Sequence, residues 1–312
     1  MESDGLEHPA LLHSTLEEFL AFMVPFVNSG LDANEPVVVA VAADRLEPLR
    51  AEIGDRPAGV RWFDTRAWHP EPAPRLRAFH ELVTDELGRG ATRLRLVGEP
   101  VWPVGPPEFI VEWERYESAL NEILGPFPVT LVCTYDTSRL DPSIAASAWS
   151  THPTVREATS VGVNDRFIDP AEFLRSNHAL VPAPAHAAWI PGPVELATAR
   201  GFLAGEASAA GLSPERVSDL CTAANEALAN AALYGGGVSA IRVWNDAGRF
   251  LCQIEDAGPG IADLFAGYRP PARAATGGRG LWLARQLVDL LQIAPGLPGT
   301  TVRLHMAHLS TL

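Results

Sequence analysis

Residues 256–260 read Asp-Ala-Gly-Pro-Gly and come directly after the strand-like segment Phe250 to Ile254. A carboxylate at the end of a strand can accept a hydrogen bond from an exocyclic amine such as adenine N6. The glycines Gly258 and Gly260 carry no Cβ, so the backbone can approach a flat ring closely. This stretch therefore makes Asp256 the candidate centre of a nucleotide site.

Glu226 and Asn230 precede this turn, on a segment that is predicted to be helical from Ser213 to Tyr234. The two residues are four apart, so they share one face of the helix. A carboxylate can orient or deprotonate an attacking hydroxyl group, and an amide oxygen can join the octahedral shell of magnesium. The pair predicts a catalytic base beside a metal ligand.

A third motif, Gly-Gly-Arg-Gly-Leu at residues 277–281, opens a predicted helix that extends to Leu291. A glycine-rich turn at a helix N-terminus presents free amides and a partial positive charge to phosphates. Each motif by itself is more often an ordinary turn, a solvated helix face or a loop. Their order, with Gly299-Thr300 before the strand Thr301 to Met306, favours one connected nucleotide site.

In this order the motifs resemble those of the GHKL ATPase superfamily, specifically its compact anti-sigma-factor kinases, over residues 190–307. The resemblance implies a two-layer α/β sandwich (the Bergerat fold) that holds ATP and Mg²⁺ beneath a lid at residues 265–276. It implies that Asn230 holds the metal, Asp256 selects adenine and Glu226 is the base that acts on a substrate serine. The other matched residues would contact the nucleotide: Gly258, Gly260, Gly278, Arg279, Gly280, Leu281 and Thr300.

Tyr234 departs from the anti-sigma-factor kinases, which usually carry histidine or lysine at this place. The departure keeps open a non-catalytic module that binds a partner according to nucleotide state. A sensor histidine kinase is a further alternative, because it shares the ATP motifs. It needs a phosphoacceptor histidine on a helical hairpin, whereas His178 and His186 lie in a proline-broken stretch. The sequence therefore disfavours autophosphorylation.

The first part of the chain alternates strand-like and helix-like segments, which predicts an α/β sheet with parallel members. The apolar, β-branched run Val37 to Ala42 is typical of a strand that is buried on both faces. Further strands are predicted at 61–63, 92–97 and 128–135, and helices at 16–30, 45–53, 75–87 and 109–124.

Residues 8–153 resemble the MEDS sensory domain. The matching pieces are His8, Gly30-Leu31, Glu35-Pro36, residues 98–102 (Gly-Glu-Pro-Val-Trp), residues 114–117 (Glu-Arg-Tyr-Glu), Asn121, residues 133–136 (Cys-Thr-Tyr-Asp) and His152-Pro153. The resemblance implies a RecA-like α/β fold that senses a small molecule, for instance a hydrocarbon derivative. His13 stands where that family usually carries an aromatic residue. A protein-docking module is the alternative, and the absence of a Gly-x-x-x-x-Gly-Lys-Ser/Thr loop leaves a second ATPase site unsupported.

Proline, alanine, histidine and asparagine interrupt the periodicity between the two regions. We therefore expect a sensory domain at 1–153, a linker with one short helix (170–177) at 154–188, and an ATP-binding kinase-like domain at 189–312.

The composition argues against several classes of partner and of site. The net charge of −14 argues against direct binding of nucleic acid, and no apolar run approaches the ~20 residues of a membrane span. The three cysteines have no CxxC spacing, so neither a disulfide nor a zinc site is expected. We expect a cytoplasmic protein. The anti-sigma resemblance implies an anti-anti-sigma (STAS-type) protein or a sigma factor as partner, and a homodimer.

Overall fold

The computed structural model describes residues 5–54, 59–103, 105–157, 160–177, 180–271, 278–295 and 298–308. Contacts within the chain define two compact units, Met1–Leu174 and Arg175–Leu312. Among the residues described, every helix is too short or too polar to cross a bilayer.

The first unit, within the described residues, is built on a seven-stranded sheet of order β3-β2-β4-β5-β1-β6-β7. Its neighbouring strands run parallel except for the antiparallel hairpin at one edge, β6 with β7. The predicted α/β sheet with parallel members is confirmed. The strands are β1 (Pro9–His13), β2 (Val37–Val41), β3 (Val60–Asp64), β4 (Leu94–Gly98), β5 (Val129–Asp136), β6 (Thr154–Glu157) and β7 (Ser160–Val163).

Helices connect the parallel strands of this sheet. Thr15 caps the first helix by accepting a hydrogen bond from Glu18 N, and the apolar side chains of Phe19 and Met23 pack against the fully buried β2. These helices are α1 (Leu16–Asp32), α2 (Ala43–Ile53), α3 (Pro72–Gly88), α4 (Pro107–Ile123) and α5 (Pro142–Thr151). The short helix α6 (Pro170–Ser176) follows β7 and extends past Leu174, the last residue of this unit.

Three strands of this unit were not predicted. β1 is only five residues long, too short for a periodic pattern, although it lies between β5 and β6 in the sheet. β6 and β7 fall in the segment assigned to the linker, and β6 pairs with β1. The short helix expected at 170–177 is confirmed as α6.

The second unit contains, among its described residues, a five-stranded antiparallel sheet of order β11-β12-β10-β9-β8. Helices pack on one face of it, and Leu220, Leu228 and Leu304 lie in the shared core. This is the two-layer α/β sandwich that the sequence predicts. Its elements are β8 (Ala188–Pro191), α7 (Leu196–Ala209), α8 (Pro214–Tyr234), β9 (Val238–Asp246), β10 (Arg249–Asp256), α9 (Gly280–Leu287), β11 (Leu290–Pro295) and β12 (Thr300–Ala307).

Part of the predicted linker covers the other face of this sheet. Arg303 donates to Val181 O at 2.7 Å, and Ala183 and Ala187 pack near Trp244. The boundaries 1–153, 154–188 and 189–312 stay a prediction.

Local chemistry explains where two of these elements begin or turn. Ser213 caps α8 by accepting a hydrogen bond from Arg216 N, as its position predicts. Ala247 and Gly248 form the two-residue loop between β9 and β10, and both adopt positive φ (46° and 76°), as such a hairpin loop requires. The predicted helix from 281 to 291 is wrong in its last turn. The chain becomes extended at Val288, and β11 then pairs with β12.

Candidate nucleotide site and a buried polar cluster

Asp256 ends β10 with its carboxylate anchored by two backbone amides. Oδ1 accepts hydrogen bonds from Gly258 N at 3.0 Å and from Thr300 N at 3.1 Å. Among the described residues no donor is bonded to Oδ2, so this oxygen remains able to accept from a ligand. The geometry fixes the direction of the carboxylate at the place where the sequence predicts an adenine contact.

Three glycines surround this aspartate at distances that exclude side chains. A Cβ on Gly235 would lie 2.5 Å from Asp256 Cγ, and one on Gly258 would lie 2.6 Å from Gly235 Cα. Gly299, at φ 100°, would place a Cβ against Asp256 O. Gly235 was missed in the sequence, where it opens the run Gly235-Gly236-Gly237 directly after α8. Three consecutive glycines at the end of a helix are the signal that could have indicated the close approach of this backbone to Asp256.

Glu226 and Asn230 are half-buried on α8, one helical turn apart. A Cβ added to Gly280 would collide with the Glu226 carboxylate. The candidate base therefore lies against the first residue of α9, where the phosphate-binding turn is predicted. The backbone oxygen of Asn230 accepts from Gly235 N at 3.3 Å, which links the end of this helix to the Asp256 region.

The glycine-rich turn leads into α9 as predicted. Gly278 adopts φ 78° and is exposed, and Arg279 occupies the N-cap position without a side-chain capping bond. The first amides of α9, from Gly280 and Leu281, thus begin a helix whose N-terminal donors are suited to an anion. Gly260, at φ 87°, lies in the turn after β10.

The predicted lid is described only in its first half, since residues 272–276, with Arg273, lie outside the described residues. Phe265 and Tyr268 are buried, and the guanidinium carbon of Arg285 lies 3.9 Å from the Tyr268 ring centroid. Arg269 forms an ion pair with Asp263 at 3.2 Å. This half is anchored to α9 through Arg285.

A second group of functional side chains lies inside the first unit. His8, Glu117, Cys133 and His152 are all buried, and their ligand atoms lie within 4.8 Å of one another. His152 Nε2 lies 3.2 Å from Glu117 Oε2, His8 Nε2 lies 3.3 Å from Cys133 Sγ, and His8 Nε2 lies 3.8 Å from Glu117 Oε2. We call these four residues the buried polar cluster.

Two family models match the chain. Residues 7–153 match MEDS, the methanogen/methylotroph, DcmR sensory domain, and residues 191–306 match a histidine kinase-like ATPase domain. The chain joins a MEDS domain to a histidine kinase-like ATPase domain. These matches confirm both resemblances seen in the sequence, at the level of the domain.

Solved structures similar to the chain include two mycobacterial ones. The RsbU and RsbW domains of Rv1364c from Mycobacterium tuberculosis match at 21% identity and a TM-score of 0.30, over 40% of this chain and 33% of that chain. The chain therefore spans about a third of that relative's length. The mycobacterial sensor histidine kinase MprB matches at 21% identity and a TM-score of 0.27, over 38% of this chain and 97% of that chain. No curated protein matches.

Burial shifts the pKa values of the four residues in the buried polar cluster. Burial lowers the pKa of His8 and of His152 to about 3, so both imidazoles are neutral at physiological pH. Burial likewise raises the pKa of Glu117 and of Cys133. All four residues belong to the matching pieces quoted from the sequence, but no metal or catalytic role was predicted for them. Their proximity was missed because each comes from a different element.

The MEDS domain also has an open cavity of about 330 Å³ at the carboxyl ends of β3, β4 and β5. Arg45 lies at its edge and forms ion pairs with Glu99 (3.2 Å) and with Asp136. Burial raises the pKa of Glu99, against the opposing effects of the Ala42 amide and Arg45. Strand ends are the usual ligand position in parallel sheets, so this cavity is the candidate small-molecule site.

Proposed function

We propose that the ATPase domain binds ATP with Mg²⁺ and transfers the γ-phosphoryl group to a serine of an anti-anti-sigma (STAS-type) protein. One observation carries the proposal: Glu226, a potential base, lies against Gly280 at the start of the predicted phosphate turn. A carboxylate in this position is near the group that a substrate hydroxyl would attack. Phosphoryl transfer depends mainly on positioning and electrostatics, which these groups can supply.

Each site residue then has a defined task. Asp256 accepts from the adenine amine through Oδ2, while Thr300 and Gly258 hold Oδ1. Asn230 supplies an amide oxygen to Mg²⁺. The turn of Gly278, Arg279, Gly280 and Leu281 surrounds the phosphates, with Gly260 giving the backbone its bend after β10. Glu226 accepts the proton from the serine hydroxyl as the oxygen–phosphorus bond forms, and ADP leaves.

The MEDS domain is the regulatory part of this proposal. A small molecule binds in its cavity and changes the activity of the ATPase domain, either toward the STAS-type protein or toward a sigma factor that the domain holds. We further propose that the protein acts in the cytoplasm, as a homodimer.

A non-catalytic module is the second candidate, because of Tyr234. This residue ends α8 with 74% of its surface exposed, where kinases of the anti-sigma type carry histidine or lysine. In that case nucleotide state would control the holding of a partner without transfer. A histidine kinase has less support. Between β7 and α7, within the residues described, the only helix is α6, with seven residues, and no helical hairpin precedes the ATPase domain there.

The test is transfer of labelled phosphate from ATP to a purified STAS-type protein of the same organism. Glu226→Gln keeps the shape of the side chain and removes the base. Glu215→Gln, on the exposed first turn of the same helix, is the matched control. We expect acid-stable label on a partner serine with the wild type and with Glu215→Gln, and its loss with Glu226→Gln while ATP binding is retained.

Other results would replace the proposal. ATP binding without any transfer, together with nucleotide-dependent capture of the partner, would establish the non-catalytic module. Acid-labile label on the protein itself would establish a histidine kinase.

A further inference from the structure

The buried polar cluster gathers donors from four separate elements. His8 immediately precedes β1, Glu117 lies on α4, Cys133 on β5 and His152 at the end of α5. The parallel pairing of Ala10 with Cys133 brings the first and third of these elements side by side. Imidazole, thiolate and carboxylate are the ligands that zinc takes in proteins.

Hydrogen bonds outside the cluster orient both histidines toward its centre. Asn121 donates its amide group to Thr151 O at 2.8 Å, which directs its Oδ1 to His8 Nδ1 at 3.0 Å. His152 Nδ1 lies 2.9 Å from Thr151 Oγ1, whose hydroxyl donates to Ser147 O, and 3.1 Å from Ala148 O. Since an oxygen acceptor faces each Nδ1, the proton of each neutral ring lies there. Each Nε2 therefore presents a lone pair to the other members, as in metal-binding histidines.

Within the described part of the chain, two of the inward-facing atoms lack a hydrogen-bond partner, although the Glu117 carboxyl group also has a side-chain hydrogen bond with Cys133. Glu117 Oε2 and His152 Nε2 are buried and, among the described residues, have no hydrogen-bond donor. Both atoms are acceptors, and they lie 3.2 Å apart. Two acceptors at this distance repel unless a cation or a proton lies between them. A divalent cation also balances the charges of one carboxylate and one thiolate, which leaves a neutral buried group.

Three of the six separations between the ligand atoms are close to those of tetrahedral coordination. Zinc–nitrogen and zinc–oxygen bonds of about 2.0–2.1 Å and a zinc–sulfur bond of about 2.3 Å place neighbouring ligand atoms about 3.3–3.6 Å apart. The observed approaches are 3.2, 3.3 and 3.8 Å. All six pairs of ligand atoms lie within 4.8 Å of one another, so an ion fits with ligand shifts of up to about 1 Å.

We propose that the MEDS domain binds one divalent transition-metal ion, of which zinc fits best, through His8 Nε2, Glu117 Oε2, Cys133 Sγ and His152 Nε2. Four protein ligands, all at most 4% exposed, make a closed site, which is the form of structural rather than catalytic zinc. The ion ties the strands β1 and β5 to the helices α4 and α5, and so stabilises the sheet beneath the ligand cavity.

The experiment measures metal on the full chain, both as isolated and after refolding with Zn²⁺ or Co²⁺, so that slow entry into the folded site cannot hide binding. Cys133→Ser and Glu117→Gln each change one ligand with little change of volume. Cys252→Ser, an equally buried cysteine in the ATPase domain, is the matched control. Circular dichroism checks that each variant is folded.

We expect one ion per chain in the wild type and in Cys252→Ser. The Co²⁺ form should show the intense visible bands of tetrahedral cobalt and a thiolate-to-cobalt charge-transfer band. Cys133→Ser should lose the charge-transfer band, and both ligand variants should bind the ion roughly tenfold or more weakly. A wild type that takes up neither ion after refolding, or binding that Cys133→Ser and Glu117→Gln leave unchanged, would overturn the proposal. The cluster would then be a metal-free, hydrogen-bonded core.

Discussion

Gly235 offers a direct test of the architecture around Asp256. Its φ of −93° is one that alanine adopts readily, so Gly235→Ala adds no backbone strain. The added Cβ would lie 2.5 Å from Asp256 Cγ and 2.9 Å from Ala231 O. It would also lie 2.6 Å from Asp256 Cβ. Ordinary carbon–carbon contacts are about 3.5–4.0 Å, so the whole Asp256 side chain, its Cβ included, must move by about 1 Å.

The size of the effect follows from that displacement. Overpacking of this kind costs about 1–3 kcal/mol of folding free energy. A carboxylate displaced by about 1 Å also loses its hydrogen bond to adenine, which is worth about 1.5–3 kcal/mol when one partner is charged. That loss corresponds to a roughly 10- to 100-fold rise in the Kd for ATP.

The assay is isothermal titration calorimetry with ATP and Mg²⁺, together with denaturant unfolding. Gly236→Ala is the adjacent control. It forces alanine into φ 70° but meets no atom within 4 Å, so it should lower stability by about 1–2 kcal/mol and leave ATP affinity unchanged. A folded Gly235→Ala protein that binds ATP as tightly as the wild type would refute the close packing of this glycine on Asp256.

Three further predictions concern the ATPase domain. Gly280→Ala should displace the Glu226 carboxylate and reduce phosphoryl transfer in a labelled-ATP assay more than it reduces the melting temperature. Burial first, then two arginines, lowers the pKa of His305 to about 3. Because the unfolded chain takes up this proton below pH ~6.5 and the folded chain does not, the free energy of unfolding should fall by about 2 kcal/mol between pH ~7 and pH ~5. His305→Gln should reduce this dependence on pH, as measured by urea unfolding at each pH. Ser213→Ala should cost about 1 kcal/mol of unfolding free energy through the lost helix cap.

The elements that were predicted well are those with strong local signals. α8, predicted from Ser213 to Tyr234, has a serine cap, proline at its first position and a long apolar stripe. β10 contains the predicted strand-like segment Phe250 to Ile254. The candidate nucleotide residues lie in short contiguous motifs next to these elements. The order of these motifs along the chain was therefore enough to predict which residues belong to the site, although the roles of those residues stay predictions.

The missed features depend on contacts between distant segments. Leu290 and Leu291 continue the apolar spacing of α9, and only pairing with β12 makes them a strand. β1 is too short to show a pattern and is defined by its parallel neighbours. The buried polar cluster depends on the strand register that sets Ala10 opposite Cys133. The spacing of cysteines along the chain does not indicate this register.

Binding of ATP with Mg²⁺ by Asp256→Asn, compared with the wild type, tests the central claim most directly. The asparagine oxygen can still accept from Gly258 N and Thr300 N, so the domain should stay folded while a donor replaces the adenine acceptor. Asp246→Asn, at an exposed position on the same hairpin, is the matched control. We predict that the wild type and Asp246→Asn bind ATP and that Asp256→Asn binds at least ~10-fold more weakly. Calorimetry in which the wild type does not bind, or in which Asp256→Asn binds equally well, would contradict the account.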